Sequence, residues 1–114
     1  MSGTRSELLQ GTLELLVLKT LSLEPMHGWG IAQRLEQMSR GIFAVNQGSL
    51  YPALQRMKRK GWISSDWRTT ENNRRARYYV LTPTGRRELA RERAGWEQAS
   101  AAVNWILGWQ GGAL

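Results

Sequence analysis

The residues best equipped for chemistry in this chain are its cations. Arg56, Lys58, Arg59 and Lys60 fall within five positions, and Arg74, Arg75 and Arg77 follow directly on Asn72 and Asn73. Guanidinium and ammonium groups without acids beside them are suited above all to neutralising phosphates. The overall balance agrees, with 16 Lys and Arg against 9 Asp and Glu and a net charge of +7. Residues 56–93 hold 12 cations and 4 acids, whereas the rest of the chain holds 4 cations and 5 acids. A surface charged only for solubility would intersperse the signs. One contiguous positive tract is the footprint of a polyanion, and nucleic acid is the expected partner.

Catalysis is poorly provided for. Cysteine is absent, so there is no thiolate nucleophile and no disulfide framework. The single histidine, His27, sits between Met26 and Gly28 and reads as a turn or helix-start residue rather than a catalytic group or metal ligand. No glycine pattern makes a phosphate loop, and Asp66, Glu71 and Glu88 suggest no shared cleft. No enzyme activity, cofactor or metal is expected. The longest apolar run, LELLVLKTLSL, is interrupted by Glu14 and Lys19 and is too short for a bilayer. The first ten residues lack the layout of a secretory signal. The expectation is a soluble, cytoplasmic protein.

The elements that must position the cations are short. At 114 residues the chain can build one modest core. Leucines at 8, 9, 13, 15, 16, 18 and 21 with Val17 predict a first helix that is apolar around most of its girth, capped by Ser6 and ending before Pro25. Ile31, Leu35 and Met38 predict a second helix that stops at Gly41. Leu50, Leu54 and Met57 form the inward stripe of a third helix, ended by Gly61. Pro52 lacks an amide hydrogen, so the reading puts it in the first turn and the cap near Ser49. After Gly61, WISSDWRTT and ARYYVLTPT flank the polar ENNRRAR and predict a two-stranded hairpin. Thr82 and Pro83 then start a last helix, in which Trp96, Ala99, Val103 and Ile106 recur at helical spacing.

Three helices followed by a hairpin is the plan of a winged helix-turn-helix, mostly α with a small β-hairpin. Residues 1–82 would form this domain and residues 83–114 a C-terminal dimerisation helix and tail. In such a plan Asn46, Gln47 and Ser49 at the front of the third helix face bases and phosphates, with Tyr51 and Gln55 one turn further on. Arg56 and Arg59 are better placed for phosphate than Lys58 and Lys60, because consecutive residues splay around a helix. Arg74, Arg75 and Arg77 occupy the wing. Each feature has a plainer reading: Tyr51 as a packed aromatic, Gln47, Ser49 and Gln55 as an ordinary solvated face, the arginines as a wet hairpin tip. The first helix is too apolar for a small monomer, and the last helix has no core left to fill. Leu9, Leu13, Leu16, Trp96, Ala99, Val103 and Ile106 are therefore expected at a two-fold interface. Trp96 and Trp105 could instead line a ligand cavity.

Four blocks carry a more specific likeness: LLQGTLELLVLKTL (8–21), PMHGWGI (25–31), GSLYPALQRMKRKGWI (48–63) and RYYVLTPTGRREL (77–89). In this order they resemble the PadR-like family of transcriptional regulators, over about three quarters of the chain. Trp29 stands where the family more often has tyrosine. The resemblance implies a homodimer whose last helix packs on the partner's first, a roughly palindromic double-stranded DNA operator, and usually repression. Some members release DNA when a small, often aromatic effector binds near the dimer interface. A single helix after the wing is similar to the family's shorter branch. Two other functions share the fold: a winged-helix module for a protein or RNA partner, marked by sequence-tolerant DNA binding, and a ligand sensor without operator binding.

Overall fold

The structure, a computed structural model, describes residues 2–112, and side chains from residue 12 onward. Four helices and three strands follow one another as α1 (Ser2–Leu23), β1 (Met26–His27), α2 (Gly28–Met38), α3 (Gln47–Arg59), β2 (Ile63–Thr69), β3 (Arg75–Leu81) and α4 (Pro83–Leu107). The sheet is antiparallel in the order β1-β3-β2. This is the winged helix-turn-helix plan, with α3 as third helix and β2–β3 as wing. No helix among the described residues is long and apolar enough to cross a membrane.

The core is built from the stripes the periodicity marks. Leu13, Val17, Leu18 and Leu21 of α1 meet Ile31 and Leu35 of α2 and Leu50, Ala53, Leu54 and Met57 of α3. Ile63, Tyr79 and Leu81 close the cluster from the sheet. Thr20 is wholly buried, and its hydroxyl donates to the Leu16 carbonyl at 2.8 Å, so its polarity is satisfied within the helix. Leu13, expected at a subunit interface, is only 3% exposed and belongs to the chain's own core. Leu16 packs partly against that core. Leu9 lies outside the residues whose side chains are described.

Two local features differ from the sequence reading. The two-residue β1 reads as a turn, since a strand that short has no alternation; it exists by pairing Met26 with Tyr79 and His27 with Tyr78. The third helix begins at Gln47, with Asn46 as its cap, and Pro52 lies inside it. Asn46 prevails over Ser49 because its carboxamide oxygen accepts from the Ser49 amide at 2.8 Å. Pro52 then leaves the Gly48 carbonyl without its helical donor, which is tolerable because Gly48 is exposed to water. The first two turns of α4 pack against the core. Gly85 is buried where a Cβ would fall 2.1 Å from the Trp62 carbonyl oxygen, and Leu89 packs on the core cluster. Thr82 caps this helix, accepting from the Gly85 amide at 3.0 Å, and its own amide donates to the Trp62 carbonyl.

Beyond Glu92, α4 leaves the globule. The radius of gyration is 16.5 Å, against about 13 Å for a compact domain of this length. The exposed residues there include Trp96, Val103, Trp105, Ile106 and Leu107, with Trp109 just beyond.

Candidate nucleic-acid interface

Whether α3 and the wing can act together depends on strand parity. In β3, Tyr79 and Leu81 face the core, so Arg75 and Arg77 share their side of the sheet. In β2, Ile63 is buried, and Ser65 and Trp67 follow on its side. Trp67 lies directly opposite Arg77, and Thr69 opposite Arg75. The core-facing side of the hairpin thus runs outward into a cationic, aromatic surface that overhangs α3. Tyr51 and Gln55 of α3 line the same cleft as Trp67, Ala76 and Arg77, a space of about 440 Å³ floored by Gly28 and Tyr79. Helix α3 and the wing form one continuous face.

Tyr51 is fixed in that cleft by a close approach. A Cβ on Gly28 would stand 3.1 Å from the Tyr51 hydroxyl and 3.3 Å from its ring, so the glycine admits the phenol against the start of α2. His27 begins α2 as its cap, its Nδ1 accepting from the Gly30 amide at 3.0 Å. That is the helix-start role expected of it. Among the described residues no cluster of His, Asp or Glu could hold a metal.

The cations of α3 divide between two faces. Arg56 Nε donates to Glu14 of α1 at 3.0 Å, and Lys60 Nζ approaches the same carboxylate at 3.6 Å. Lys60 also lies over the Trp62 ring at 4.5 Å. Arg56, expected with Arg59 at phosphate, pairs here with Glu14 of α1, while Arg59 has no acidic partner among the described residues. Ser49 lies on the α1 side as well, lining a small recess with Leu13, Pro52 and Arg56. Asn46 spends its carboxamide oxygen on the cap. The Gln47 Oε1 is buried without a hydrogen-bond partner among the described residues. Of the expected base readers, Tyr51 and Gln55 therefore face the wing, and the other three sit at the front of the helix or toward α1.

On the wing, Arg77 is held twice: its Nη1 donates to the Ser65 hydroxyl at 2.9 Å, and its guanidinium lies 4.8 Å from the Trp67 ring centre. Arg75 lies 5.9 Å from the same ring. Arg74 stands exposed at the turn, where Asn73 adopts a left-handed φ of 62°. The opposite face of the hairpin is neutralised, since Arg68 pairs with Asp66 at 2.8 Å and covers Tyr78. Free positive charge on the strands thus lies on the side that faces α3. Sequence reasoning passed over Trp67, although its four-residue spacing from Ile63 already gives its side.

Away from this face, an acidic group lies where α4 meets α1. Burial, a hydrogen bond to Glu88 and the charges of Glu88 and Glu14 push the Glu92 carboxyl up to about 7. Hydrogen bonds from Arg91 and Glu92 hold Glu88 below the usual carboxylate range.

The candidate dimer and ligand residues lie on α4. Trp96, Ala99, Val103 and Ile106 share one side of the helix by their spacing. Trp105 is nine positions from Trp96, which at 100° per residue sets it on the opposite side, so one helix cannot bring both indoles to one cavity.

Known proteins share this fold. The Transcriptional regulator PadR-like family model matches residues 17–91. The transcriptional regulator Rv3488 of Mycobacterium tuberculosis is 31% identical over 97 residues, covering 85% of this chain and 87% of that protein. The crystal structure of a PadR-like transcriptional regulator from Bacillus cereus superposes with a TM-score of 0.80 at 28% identity, covering 91% of this chain and 99% of that one. A PadR family regulator from Eggerthella lenta gives a TM-score of 0.79 at 29% identity, covering 94% and 91%. The family model runs from the end of α1 into α4 and so includes α2, α3 and the wing, which line the cationic cleft. On that match the chain belongs to the PadR-like family of transcriptional regulators.

Proposed function

We propose that this protein is a cytoplasmic, homodimeric repressor that binds a roughly palindromic operator in double-stranded DNA. The observation that carries this reading is the shared cleft, in which Tyr51 and Gln55 of α3 stand beside Arg77 and Trp67 of the wing. A helix of this size enters the major groove, and a hairpin on its flank then follows the adjacent backbone. Tyr51 and Gln55 read base edges, and the front of the helix, Asn46, Gln47 and Ser49, lies against the sugar-phosphate edge. Arg59, Arg74, Arg75 and Arg77 supply phosphate contacts, and Arg56 supplies one only by leaving Glu14.

The dimer rests on α4. A helix whose far half exposes Trp96, Val103 and Ile106 is incomplete alone, and a second copy covers it by two-fold symmetry. In that dimer the seam face of α4, including Ala99, lies on the partner's α1 near Leu9 and Leu16. Residues 1–82 read DNA, and residues 83–114 set the spacing between the two readers. A small planar aromatic effector fits this interface at Trp96, where it would alter that spacing and release the operator.

The test is fluorescence anisotropy with DNA from upstream of the protein's own coding sequence against scrambled DNA at fixed salt, repeated with a panel of planar aromatic compounds. Preference for the upstream DNA, weakened by one or more of the compounds, is expected. Equal affinity for both DNAs overturns the operator reading in favour of a sequence-tolerant module, and compounds without effect overturn the effector.

A further inference from the structure

Trp67 is an unexpected residue for the middle of an exposed strand. Its indole is 54% exposed, although it lies on the side of the hairpin that elsewhere packs into the core. Two guanidinium groups, from Arg77 and Arg75, lie over its ring. It lines the cleft opposite Tyr51 and Gln55. Cross-strand pairing with Arg77 accounts for part of this, and the ring attracts both guanidinium groups, so two positive charges are concentrated on one exposed apolar plate. The arrangement has the parts that a minor groove needs: cations narrow enough to enter it, and an apolar plate for the deoxyribose edges that wall it.

We propose that Trp67 is a DNA-contacting residue of the wing, packing on the deoxyribose edge of the minor groove beside the half-site and presenting Arg77 and Arg75 to that groove. This rests on the operator-binding reading and extends it to a second kind of sequence selection. A·T-rich steps have a narrow minor groove with strong negative potential, which favours inserted arginine. Arg77, tethered to Ser65 and to the indole, loses little freedom when it enters. The protein therefore selects A·T-rich base pairs just outside the bases that α3 reads, through groove shape rather than base edges.

The experiment uses the full chain and a footprinted half-site from DNA upstream of its coding sequence, with the flanking base pairs replaced by A·T or by G·C. Wild type binds the A·T-flanked duplex more tightly. Trp67→Ala binds it about tenfold more weakly than wild type does and loses most of the flank preference. Trp67→Phe, which keeps an aromatic plate, retains most of both, and this separates a DNA contact from general loss of the wing. An unchanged flank ratio in Trp67→Ala, or equal weakening on both duplexes, overturns the assignment while leaving operator binding standing. Wild type binding no duplex overturns both.

Discussion

The Arg56 guanidinium lies 3.0 Å from the Glu14 carboxylate, joining α3 to α1 across the flank of the reading helix. Both side chains are partly exposed, at 45% and 21%, so the pair contributes at most about 1 kcal/mol to stability. In the proposed complex its larger effect is to decide which α3 cations are available to DNA. Arg59→Ala is expected to lower the slope of log affinity against log salt by about one phosphate equivalent, and Arg56→Ala by clearly less. Titrations at several salt concentrations check this, and equal slopes for the two variants would show that Glu14 releases Arg56 on binding. Arg74→Ala, at the exposed turn of the wing, should resemble Arg59→Ala and weaken operator and random DNA alike.

Gln55 lies in the cleft and carries no charge, so its substitution should act on specificity. Gln55→Ala is expected to reduce the ratio of operator to random affinity by about 1–3 kcal/mol while leaving the salt slope unchanged. Competition anisotropy against both DNAs measures that ratio. A ratio equal to wild type would mean that α3 enters DNA on another face.

Gly85 is needed for space rather than for an unusual φ. An alanine methyl there would lie 2.1 Å from the Trp62 carbonyl oxygen, and a backbone atom cannot swing aside as a side chain can. Gly85→Ala should cost about 3 kcal/mol or more, read as a lowered urea midpoint. The control is Gly95→Ala, where a Cβ meets nothing within 4 Å and a helix-interior glycine is replaced by a better helix former. That variant should be stabilised by up to about 1 kcal/mol.

These contrasts show what the sequence could convey. The stripe of Leu50, Leu54 and Met57 was legible because burial imposes its period directly, and the two strands of the wing because their β-branched and aromatic residues flank a polar tip. The Thr82-Pro83 start of α4 was legible too, since cap and first-turn chemistry are local. Not legible was whatever depends on an encounter between distant segments. Leu13 looked like surplus surface on an all-round apolar helix, and only the docking of neighbouring elements decides which leucines the chain covers itself. Arg56 read as a free cation because Glu14 is 42 positions away. Trp67 could have been found from its parity with Ile63, but which side faces α3 follows from the path of the chain into the hairpin.

The Glu92 carboxyl contributes a pH dependence of definite sign, opposite to that of its lowered neighbour Glu88. Burial against α1 together with Glu88 and Glu14 raises it from 4.5 to about 7, so the folded state holds a proton that the unfolded state gives up. The stabilisation is fully present below about pH 4.5 and is lost as pH rises through 7. Glu92→Gln, which imitates the protonated acid, should match wild type near pH 4. Its advantage should grow across that window to about 1 kcal/mol at pH 8, a figure reduced for the partial access of solvent to the group. Urea denaturation at the two pH values decides the matter, and an equal gain at both would locate the effect in packing rather than ionisation.

Val103 provides the sharpest test of assembly, because its environment in the single chain and in the dimer should be opposite. In the chain alone it is 53% exposed, so a charge there costs the fold almost nothing. In the proposed dimer it lies on the seam face of α4 with Trp96, Ala99 and Ile106, where an unpaired carboxylate would have to leave water. Val103→Glu is therefore expected to keep the helical content of wild type yet sediment as a monomer at micromolar concentration. It should also bind a full palindrome no better than a half-site, since each monomer then reads DNA independently. A variant that remains dimeric under those conditions would place the seam on another face of α4, and one that loses its helical content would show that Val103 supports the fold of the single chain.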